Sequence, residues 1–373
     1  MSEAIQSRIS SLQGAMAAND LDAIVLNPGP ALPYLSGLHF HISERPVVLC
    51  LGRSGEASIV VPELESQKLE DASFPLRSIT YPEDTSRWQA AFTEGLSSLK
   101  KSGARRVGIE PRSLRVLELR FIEAALPGVE LVSCESAIAS LRMQKDAEEL
   151  SQMRKATSNA QAALMDTLPS VGVGAIETEI SGLLISNLLK HGSGGELPFQ
   201  PIIAFGANSA NPHAVPTGYA AQEGDMILFD WGANYQGYFS DLTRTFALGE
   251  PGDRLRNAYE AVKGANAAGR AHARPGVSAG SVDDVTRSVI VEAGFGEYFT
   301  HRTGHGLGLE VHEEPYIRAG NERIMQVGMT FTVEPGIYLN GLGGIRIEDD
   351  VLITADGQES LSTLDRTFQL LPV

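Results

Sequence analysis

One stretch of the sequence decides how the second half of the chain folds: Met226-Ile-Leu-Phe-Asp-Trp-Gly-Ala-Asn-Tyr-Gln-Gly-Tyr-Phe-Ser-Asp-Leu-Thr-Arg-Thr-Phe246. Its aromatic and β-branched residues are typical of strands, and Gln236-Gly237 predicts a turn between them. Two carboxylates, Asp230 and Asp241, lie within these otherwise apolar runs. Charged side chains are rarely buried unless they are paired or bind a metal ion. The stretch therefore indicates either a hairpin with two solvated acids or part of a metal site.

The register of this hairpin determines whether the two carboxylates can act together. A two-residue turn places Tyr235 opposite Tyr238. It also places Asp230 opposite Thr243, so that Asp241, two residues away on the same face, lies about 7–8 Å from Asp230 between backbones. A three-residue turn would put the two carboxylates on opposite faces of the hairpin. The metal site therefore depends on the shorter turn.

The composition excludes several classes of protein. The 373 residues are 43% hydrophobic and 20% charged, which is typical of a globular protein large enough for two domains. A formal net charge of −16 argues against nucleic acid and anionic membranes as partners, because both bind clustered Lys and Arg. No apolar run approaches the roughly 18 residues of a membrane span, and the N-terminus predicts an amphipathic helix instead of a signal peptide. With Cys50 and Cys134 expected to be reduced, we predict a cytoplasmic protein.

The order of predicted elements divides the chain into two domains. Residues 1–140 alternate short helices and strands, which predicts a compact α/β domain with a mixed sheet. From residue 141 a long helix is predicted to run to about residue 168, and the rest of the chain segregates helices from strands and glycine-rich turns. We therefore predict an α+β domain over residues 141–373, built around one antiparallel sheet.

Three further segments of the second domain carry side chains that can bind metals. The sequence Thr-Gly-His305-Gly places an imidazole between glycines, where backbone can approach closely. The sequence Val-Glu334-Pro-Gly places a carboxylate just before a turn. The sequence Ile-Arg346-Ile-Glu348-Asp-Asp350 predicts one strand with its charged residues on one face. Taken singly, each of these side chains is also compatible with a surface charge or a structural hydrogen bond.

Together these segments supply one imidazole and four carboxylates: Asp230, Asp241, His305, Glu334 and Glu348. Such a set suits two hard or borderline divalent cations about 3.5–4 Å apart. Two such ions share a water, lower its pKa so that hydroxide forms at neutral pH, and polarise a carbonyl. His213 and His312 are not needed as ligands, and either could donate to the oxyanion or to the leaving nitrogen.

One motif suggests a different chemistry. The sequence Gly276-Val-Ser-Ala-Gly280 matches the G-x-S-x-G turn of serine hydrolases, which requires a preceding strand. The sequence His-Ala-Arg-Pro precedes it here, so we predict that Ser278 caps a helix.

The second domain resembles the pita-bread metallopeptidases, and the two-domain order resembles their Xaa-Pro branch, prolidase and aminopeptidase P. The resemblance is carried by five segments of the second domain: Asn-Pro-His213, Asp230 to Asp241 in a D-x-G…S-D-x-T-R frame, Gly-His305-Gly…Val-His312-Glu, Glu334-Pro-Gly, and Gly-Ile-Arg346-Ile-Glu348-Asp. Residues 1–140 match the family only loosely, mainly through Tyr34-Leu-Ser-Gly37. The resemblance implies a creatinase-like N-terminal domain and a catalytic domain in which helices flank a curved antiparallel sheet.

The resemblance also implies how metal ions are held. Asp230 would bind one ion, and His305 with Glu334 would bind the other. Asp241 and Glu348 would bridge the two. We therefore expect two divalent metal ions per chain; the oxygen-rich set suits Mn, and Zn or Co bind the same ligands.

The implied reaction is hydrolysis of the bond between an N-terminal residue and a following proline in a dipeptide or short peptide, through a metal-bridging hydroxide. Glu334 would be the general base. His213 and His312 would stabilise the tetrahedral intermediate and shape the proline pocket, and Arg346 would support the site electrostatically or contact the substrate. The resemblance also implies a homodimer.

Several alternatives stay open at this point. The sequence does not separate a dipeptidase from an aminopeptidase, because Arg346 occurs in both. Creatinase lacks the complete metal set, and methionine aminopeptidase normally lacks the N-terminal domain, so both resemble the chain less closely. The alternative functions are a carbon–nitrogen hydrolase of a small non-peptide substrate on the same fold, and an aminopeptidase that does not require proline.

Overall fold

The computed structural model describes residues 3–373, with side chains from Ile5 onward. The chain divides into two compact units, Met1–Arg142 and Met143–Val373. The placement of the domain boundary at residue 140 stays a prediction. Among the helices within residues 3–373, none is both long and apolar enough to cross a membrane.

The first unit is built on one six-stranded sheet. Its helices are Glu3–Ala18 (α1), Ala31–Ser36 (α2), Trp88–Gly95 (α3), Ser97–Ser102 (α4), Val116–Ala125 (α5) and Glu135–Arg142 (α6). Its strands are Ala23–Leu26 (β1), Val48–Gly52 (β2), Ala57–Pro62 (β3), Arg77–Tyr81 (β4), Arg106–Ile109 (β5) and Glu130–Ser133 (β6). In the order β4-β3-β2-β1-β5-β6, β2 is antiparallel to both its neighbours and the other pairs are parallel. The predicted mixed sheet is confirmed.

The core of the first unit forms where α3 and α5 cover this sheet. Phe92 of α3 is fully buried, and its ring centroid lies 4.9 Å from that of Phe121 on α5. The sequence pattern missed β4, because in this edge strand only Ile79 and Tyr81 face the core while the other three residues are exposed. An edge strand with so few buried residues carries too little of the alternating pattern to be recognised.

The second unit contains longer helices and many short strands. Its helices are Ala147–Thr167 (α7), Glu177–Lys190 (α8), Asp253–His272 (α9) and Ala279–Glu292 (α10). Its strands are Ile202–Phe205 (β7), Met226–Trp231 (β8), Asn234–Tyr235 (β9), Tyr238–Phe239 (β10), Leu242–Leu248 (β11), Gly304–Gly306 (β12), Glu313–Ile317 (β13), Thr330–Val333 (β14), Gly336–Leu339 (β15), Gly343–Arg346 (β16), Asp349–Thr354 (β17), Gly357–Ser360 (β18) and Leu370–Leu371 (β19).

These strands divide into two main groups, ordered β19-β11-β8-β7 and β13-β12-β14-β17-β18, with small hairpins β9–β10 and β15–β16 beside them. All neighbours are antiparallel except β11 and β19. A single bridge between Thr243 and Glu348 links β11 to the chain just before β17. Helices α7 and α8 pack on β7, β8 and β11, and α9 packs on β15 and β16. The predicted class, helices flanking an antiparallel sheet, is confirmed. The strands form two main groups instead of one continuous sheet.

The start of α7 differs from the prediction. The helix begins at Ala147, because Asp146 closes a capping box with Glu149: each side chain accepts a hydrogen bond from the backbone N–H of the other. Leu141 and Arg142 end α6, and between α6 and α7 Gln144 forms an isolated bridge with Met329. The prediction that one long helix begins at Leu141 was wrong, because Leu141 and Arg142 belong to α6 and residues 143–146 separate that helix from α7.

Two other local predictions have different outcomes. Ser278 caps α10, and its hydroxyl accepts a hydrogen bond from the backbone N–H of Ser281 at 3.1 Å, as predicted. The single strand predicted through residues 345–353 is instead two strands, β16 and β17. The break falls at Ile347 and Glu348, where the Glu348 N–H donates across to Thr243 at 3.1 Å.

Candidate metal centre

The hairpin of β8 and β11 has the register expected for a two-residue turn. Gln236 and Gly237 both have left-handed backbone, with φ of 51° and 86°, and the tyrosines that flank them pair with each other. Asp230 pairs with Thr243, as predicted. Both Asp230 and Asp241 line the same cavity. The condition on which the metal site depended is therefore met.

This cavity has a volume of about 680 Å³ and contains the full set of side chains singled out in the sequence. They are Asp230, Asp241, His305, Glu334, Glu348, His213, His312 and Arg346. The wall also includes apolar side chains, such as Phe199 and Val311, and two residues that the sequence pattern did not assign, His301 and Arg302. A concave site in which polar groups converge beside apolar walls is the usual form of a small-ligand site.

Three buried side chains offer ligand atoms to one point. Atoms of Asp241, His305 and Glu348 all lie within 4.8 Å of one another. The His305 Nε2 atom also lies 3.2 Å from a carboxylate oxygen of Glu334. One imidazole and several carboxylates at such spacing form a set that binds a divalent cation.

The glycines on either side of His305 hold this imidazole in place through close backbone contact. A Cβ on Gly304 would lie 1.9 Å from the carbonyl oxygen of Thr332, and one on Gly306 would lie 2.3 Å from that of Glu314. Any larger residue would push β12 away from the strands beside it. The predicted close backbone approach at these glycines is therefore present, between β12 and the segments beside it.

Asp230 lies at the other side of the cavity and completes the carboxylate set. One of its oxygens, Oδ2, accepts a hydrogen bond from Arg346. The other, Oδ1, is buried and has no hydrogen-bond partner among the described residues. A buried carboxylate oxygen without a partner costs free energy unless a cation or water satisfies it. The oxygen therefore fits a metal ligand.

Burial and neighbouring carboxylates together raise the pKa values of Asp241 and Glu348. Burial raises the pKa of Asp241 well above its ordinary value, and the charges of Glu348 and Asp230 add to this. Burial, then Glu334, acts in the same direction on the pKa of Glu348. Burial opposes ionisation of Glu334 too, but hydrogen bonding and charge from His305 lower its pKa to about 2. Such mutual repulsion is relieved when cations replace protons between the carboxylates.

Arg346 connects the two sides of the cavity. Its Nη2 donates to Asp230, its Nε donates to the hydroxyl of Thr243 at 3.1 Å, and its Nη1 donates to the hydroxyl of Tyr338 at 2.8 Å. The Thr243 hydroxyl donates in turn to Glu348 at 2.6 Å. The guanidinium therefore positions Asp230 directly and Glu348 through Thr243. The sequence pattern gave no sign of Tyr338, an apolar-flanked residue four positions after Glu334.

His301 is the second residue that the sequence pattern left without a role. Its Nε2 lies 2.9 Å from the Tyr338 hydroxyl and its Nδ1 lies 2.7 Å from the carbonyl oxygen of Arg302. The hydroxyl already accepts from Arg346, and burial raises the Tyr338 pKa to about 12, so the hydroxyl keeps its proton and donates it to His301. His301 therefore accepts at Nε2 and carries its hydrogen on Nδ1.

The remaining two histidines lie at the open side of the cavity. His213 and His312 are both exposed, in contrast to the buried His305. The ring centroids of His305 and His312 are 4.2 Å apart, edge to face. Desolvation lowers the pKa of His312 to about 4, and the charge of His305 beside it contributes. The His312 imidazole is therefore neutral at pH 7 and can donate one hydrogen bond.

A buried ion pair lies next to His312. The Nζ atom of Lys145 lies 2.7 Å from Glu313, and 1% and 8% of their side chains are exposed. Glu313 directly follows His312 and pairs with Gly306 across β12 and β13. A Cβ on Gly308 would lie 2.9 Å from both side chains of the pair. Glycine at this position leaves room for the ion pair, which fixes the strand that follows His312.

Two further buried carboxylates lie behind the cavity, next to Glu348 in the sequence. Asp349 accepts hydrogen bonds from Arg244 at 2.7 Å and from Arg366 at 2.7 and 2.8 Å. Although burial acts against its charge, these guanidinium groups hold the Asp349 pKa well below its usual range.

Asp350 is equally buried but lies among neutral donors. It accepts hydrogen bonds from the backbone N–H of Asp241 at 3.2 Å and from the hydroxyl of Thr157 at 3.3 Å. Burial therefore raises its pKa well above its usual range. Asp350 fixes the backbone of Asp241 without contributing an ion pair.

Comparison with known proteins agrees with this geometry. The model of Metallopeptidase family M24 matches residues 151–355, and that of the creatinase/prolidase N-terminal domain matches residues 8–144. The chain is 31% identical to a Xaa-Pro dipeptidase of Lactobacillus delbrueckii over 98% of its own length and 99% of that relative.

Solved structures of similar proteins match nearly the full length of the chain. A prolidase from Thermococcus sibiricus has a TM-score of 0.92 at 32% identity, with 100% of both chains covered. Dipeptidase PepE from Mycobacterium ulcerans has a TM-score of 0.91 at 32% identity, with 99% of this chain and 98% of that chain covered. With a family model that covers more than half of the sequence, and a relative of this identity along nearly all of it, the chain belongs to metallopeptidase family M24.

Proposed function

We propose that the protein hydrolyses the bond between an N-terminal residue and a following proline, in dipeptides or short peptides. The observation that carries the proposal is the convergence of one imidazole and four carboxylates in a single cavity, with His213 and His312 at its open side. The names of the relatives, Xaa-Pro dipeptidase and prolidase, support the substrate class.

The cavity would hold two divalent metal ions. Asp230 would bind one, His305 and Glu334 the other, and Asp241 and Glu348 would lie between them. The unpartnered oxygen of Asp230 and the mutual repulsion of the carboxylates support this assignment. When bound, such ions supply Lewis acidity and lower the pKa of a water held between them. The oxygen-rich ligand set favours Mn, while Zn and Co fit the same donors.

The side chains around this centre have complementary roles. The ionised carboxylate of Glu334 would accept a proton from the attacking water. The exposed imidazoles of His213 and His312 would donate hydrogen bonds to the carbonyl oxygen as it becomes an oxyanion, and one of them would assist protonation of the leaving nitrogen. A proline nitrogen has no hydrogen in the peptide bond, so it must gain a proton to leave as an amine. Arg346 would keep Asp230 in position throughout.

The decisive experiment compares Ala-Pro with Ala-Pro-Ala as substrates of the metal-loaded protein, with a chelator control. A dipeptidase cleaves only the first, whereas an aminopeptidase also cleaves the second. The variants D230A, H305A and E348A should lose activity at least a hundredfold and bind less metal. The matched control is D166N, because Asp166 is a surface carboxylate that pairs with Lys190. Turnover like that of the unaltered protein in the three site variants would refute the assignment.

A second candidate function uses the same centre on a small non-peptide carbon–nitrogen bond. It would be favoured if the protein binds two metal ions and yet cleaves no Xaa-Pro peptide.

We also propose a homodimer and a cytoplasmic location, which light scattering and cell fractionation would test. Metal analysis of the purified protein would identify the ion.

A further inference from the structure

One buried carboxylate has no part in the proposed reaction. Glu177, the first residue of α8, is completely buried. Its Oε1 accepts from the backbone N–H of Phe205 at 2.7 Å and from the side-chain amide of Asn208 at 2.9 Å. Its Oε2 accepts from the backbone N–H of Thr217 at 2.8 Å, from the Thr217 hydroxyl at 2.6 Å, and again from Asn208 at 3.0 Å. All of these donors are neutral, and they occupy both oxygens.

The donors lie on both sides of one loop of the cavity. Phe205 ends β7, and Asn208 lies in the short helical turn that follows it. Thr217 lies beyond the loop, on its carboxyl side. The loop between them, residues 211–216, carries His213. A single carboxylate therefore holds both ends of the loop that presents His213 to the cavity.

Backbone contacts strengthen the carboxyl end of this attachment. The N–H of Glu177 donates to the carbonyl oxygen of Tyr219 at 3.2 Å, and that of Thr178 donates to Thr217 at 3.1 Å. The start of α8 and the segment after the loop thus form one hydrogen-bonded unit. The position of the loop follows the position of this helix end.

The loop itself is short and exposed. Its hydrogen bonds are mainly local, from the N–H of His213 to the Asn211 side chain at 3.1 Å and from the N–H of Ala214 to the Asn211 carbonyl at 3.1 Å. One longer contact, 3.4 Å, joins Pro212 to Arg346. Such a loop keeps its own turn shape, but its placement in the cavity depends on how its ends are held.

We propose that Glu177 is a positioning residue, which sets the location of the His213 imidazole by fixing both ends of the 211–216 loop. The inference rests on the proposed function, in which His213 contacts the substrate. A glutamine at this position would turn an NH₂ group toward one set of donors in either orientation of its amide. One end of the loop would then be released, although the volume of the side chain is conserved.

The first test does not depend on activity. In the full chain with the substitution Glu177→Gln, amide hydrogen exchange over residues 205–217 should be at least tenfold faster than in the unaltered protein. The matched control is Asn187→Ala on the same helix, because Asn187 is also buried and donates to Thr167 at 3.0 Å, away from the loop. Loop exchange that stays unchanged in Glu177→Gln, or that rises equally in the control, would overturn the inference.

The second test measures whether Glu177 acts through His213. For Ala-Pro hydrolysis, Glu177→Gln should lower kcat/KM by about ten- to a hundredfold, the usual effect of misplacing a catalytic group by about 1 Å. In a His213→Ala background the same substitution should change kcat/KM by less than about twofold, because coupled residues are not additive. An equal loss in both backgrounds would overturn the inference.

Two outcomes keep the tests separable. If the unaltered protein cleaves no Xaa-Pro peptide, the proposed function fails, while the exchange measurement still decides whether Glu177 holds the loop. If Glu177→Gln does not fold, Thr217→Val removes the hydroxyl that donates to Oε2 of Glu177 and accepts from the backbone N–H of Tyr219. Faster exchange confined to the carboxyl end of the loop would support the inference in that variant, and unchanged exchange would overturn it.

Discussion

Replacement of Asp349 by asparagine should destabilise the second unit by about 3–5 kcal/mol, the usual cost of breaking a buried ion pair. Asp349 is completely buried, and its partner Arg244 is 2% exposed. The substitution keeps the shape of the side chain but removes the charge that compensates Arg244. The guanidinium still donates to backbone carbonyl oxygens, among them those of Thr243 and Glu348. These contacts satisfy its hydrogen bonds without neutralising its charge, so the lower half of the range is expected.

The loss is measurable because the chain has only two tryptophans, one in each unit. In a Trp88→Phe background, the fluorescence of the buried Trp231 follows unfolding of the second unit alone. Urea titrations at pH 7 with a chelator present exclude differences in metal binding. For a unit of this size, about 3 kcal/mol also lowers the melting temperature by roughly 6–12 °C.

Asp350 provides the matched control. It is as buried as Asp349 and adjacent to it, but its hydrogen-bond donors, from Asp241 and Thr157, are neutral. Since Asp350→Asn breaks no ion pair, it should cost less than about 1 kcal/mol. Equal losses for the two variants would refute the argument that the Arg244 charge accounts for the effect. A loss below about 1 kcal/mol for Asp349→Asn would refute it as well.

Two other changes test the site itself. Thr243→Val removes the hydroxyl that donates to Glu348 at 2.6 Å, so kcat/KM should fall roughly tenfold. The circular dichroism spectrum should not change. Full activity would contradict the positioning role of this hydroxyl. Burial lowers the pKa of His301 below its unfolded value of about 6.5, so the folded state binds fewer protons, and the stabilisation present above that pH is lost as the pH falls. In urea titrations with a chelator present, the unaltered protein should therefore lose more stability between pH 7 and pH 5 than the His301→Gln variant does. Equal losses for the two proteins would contradict this account.

The hairpin could be predicted in detail because its determinants are local. The turn residues Gln236 and Gly237 select a two-residue connection, and that connection alone sets which residues pair across β8 and β11. The ligand-type side chains could be predicted for a related reason: carboxylates within apolar strands are rare enough to stand out. Their convergence in one cavity follows from the register.

The features that sequence reasoning missed depend on contacts between distant segments. Tyr338 and His301 are 37 residues apart, and neither has a neighbour that signals their hydrogen bond. The break between β16 and β17 arises where Glu348 pairs with Thr243 of β11. The periodicity of the sequence carries no information about this pairing between distant segments. Glu177 looks like an ordinary acid in the first turn of a helix. Its complete burial, and the five hydrogen bonds that compensate it, appear only when the chain is folded.

The ion pair between Lys145 and Glu313 determines where a separately expressed catalytic unit can begin. The family match starts at residue 151, after both Lys145 and the capping residue Asp146. A chain shortened to that boundary would lose the cation that contacts Glu313 beside His312, and also a helix cap that contributes about 1 kcal/mol. The segment from residue 143 therefore belongs to the catalytic unit, to which the buried Lys145–Glu313 ion pair attaches it. Shortened chains made for expression or grafting should retain this segment.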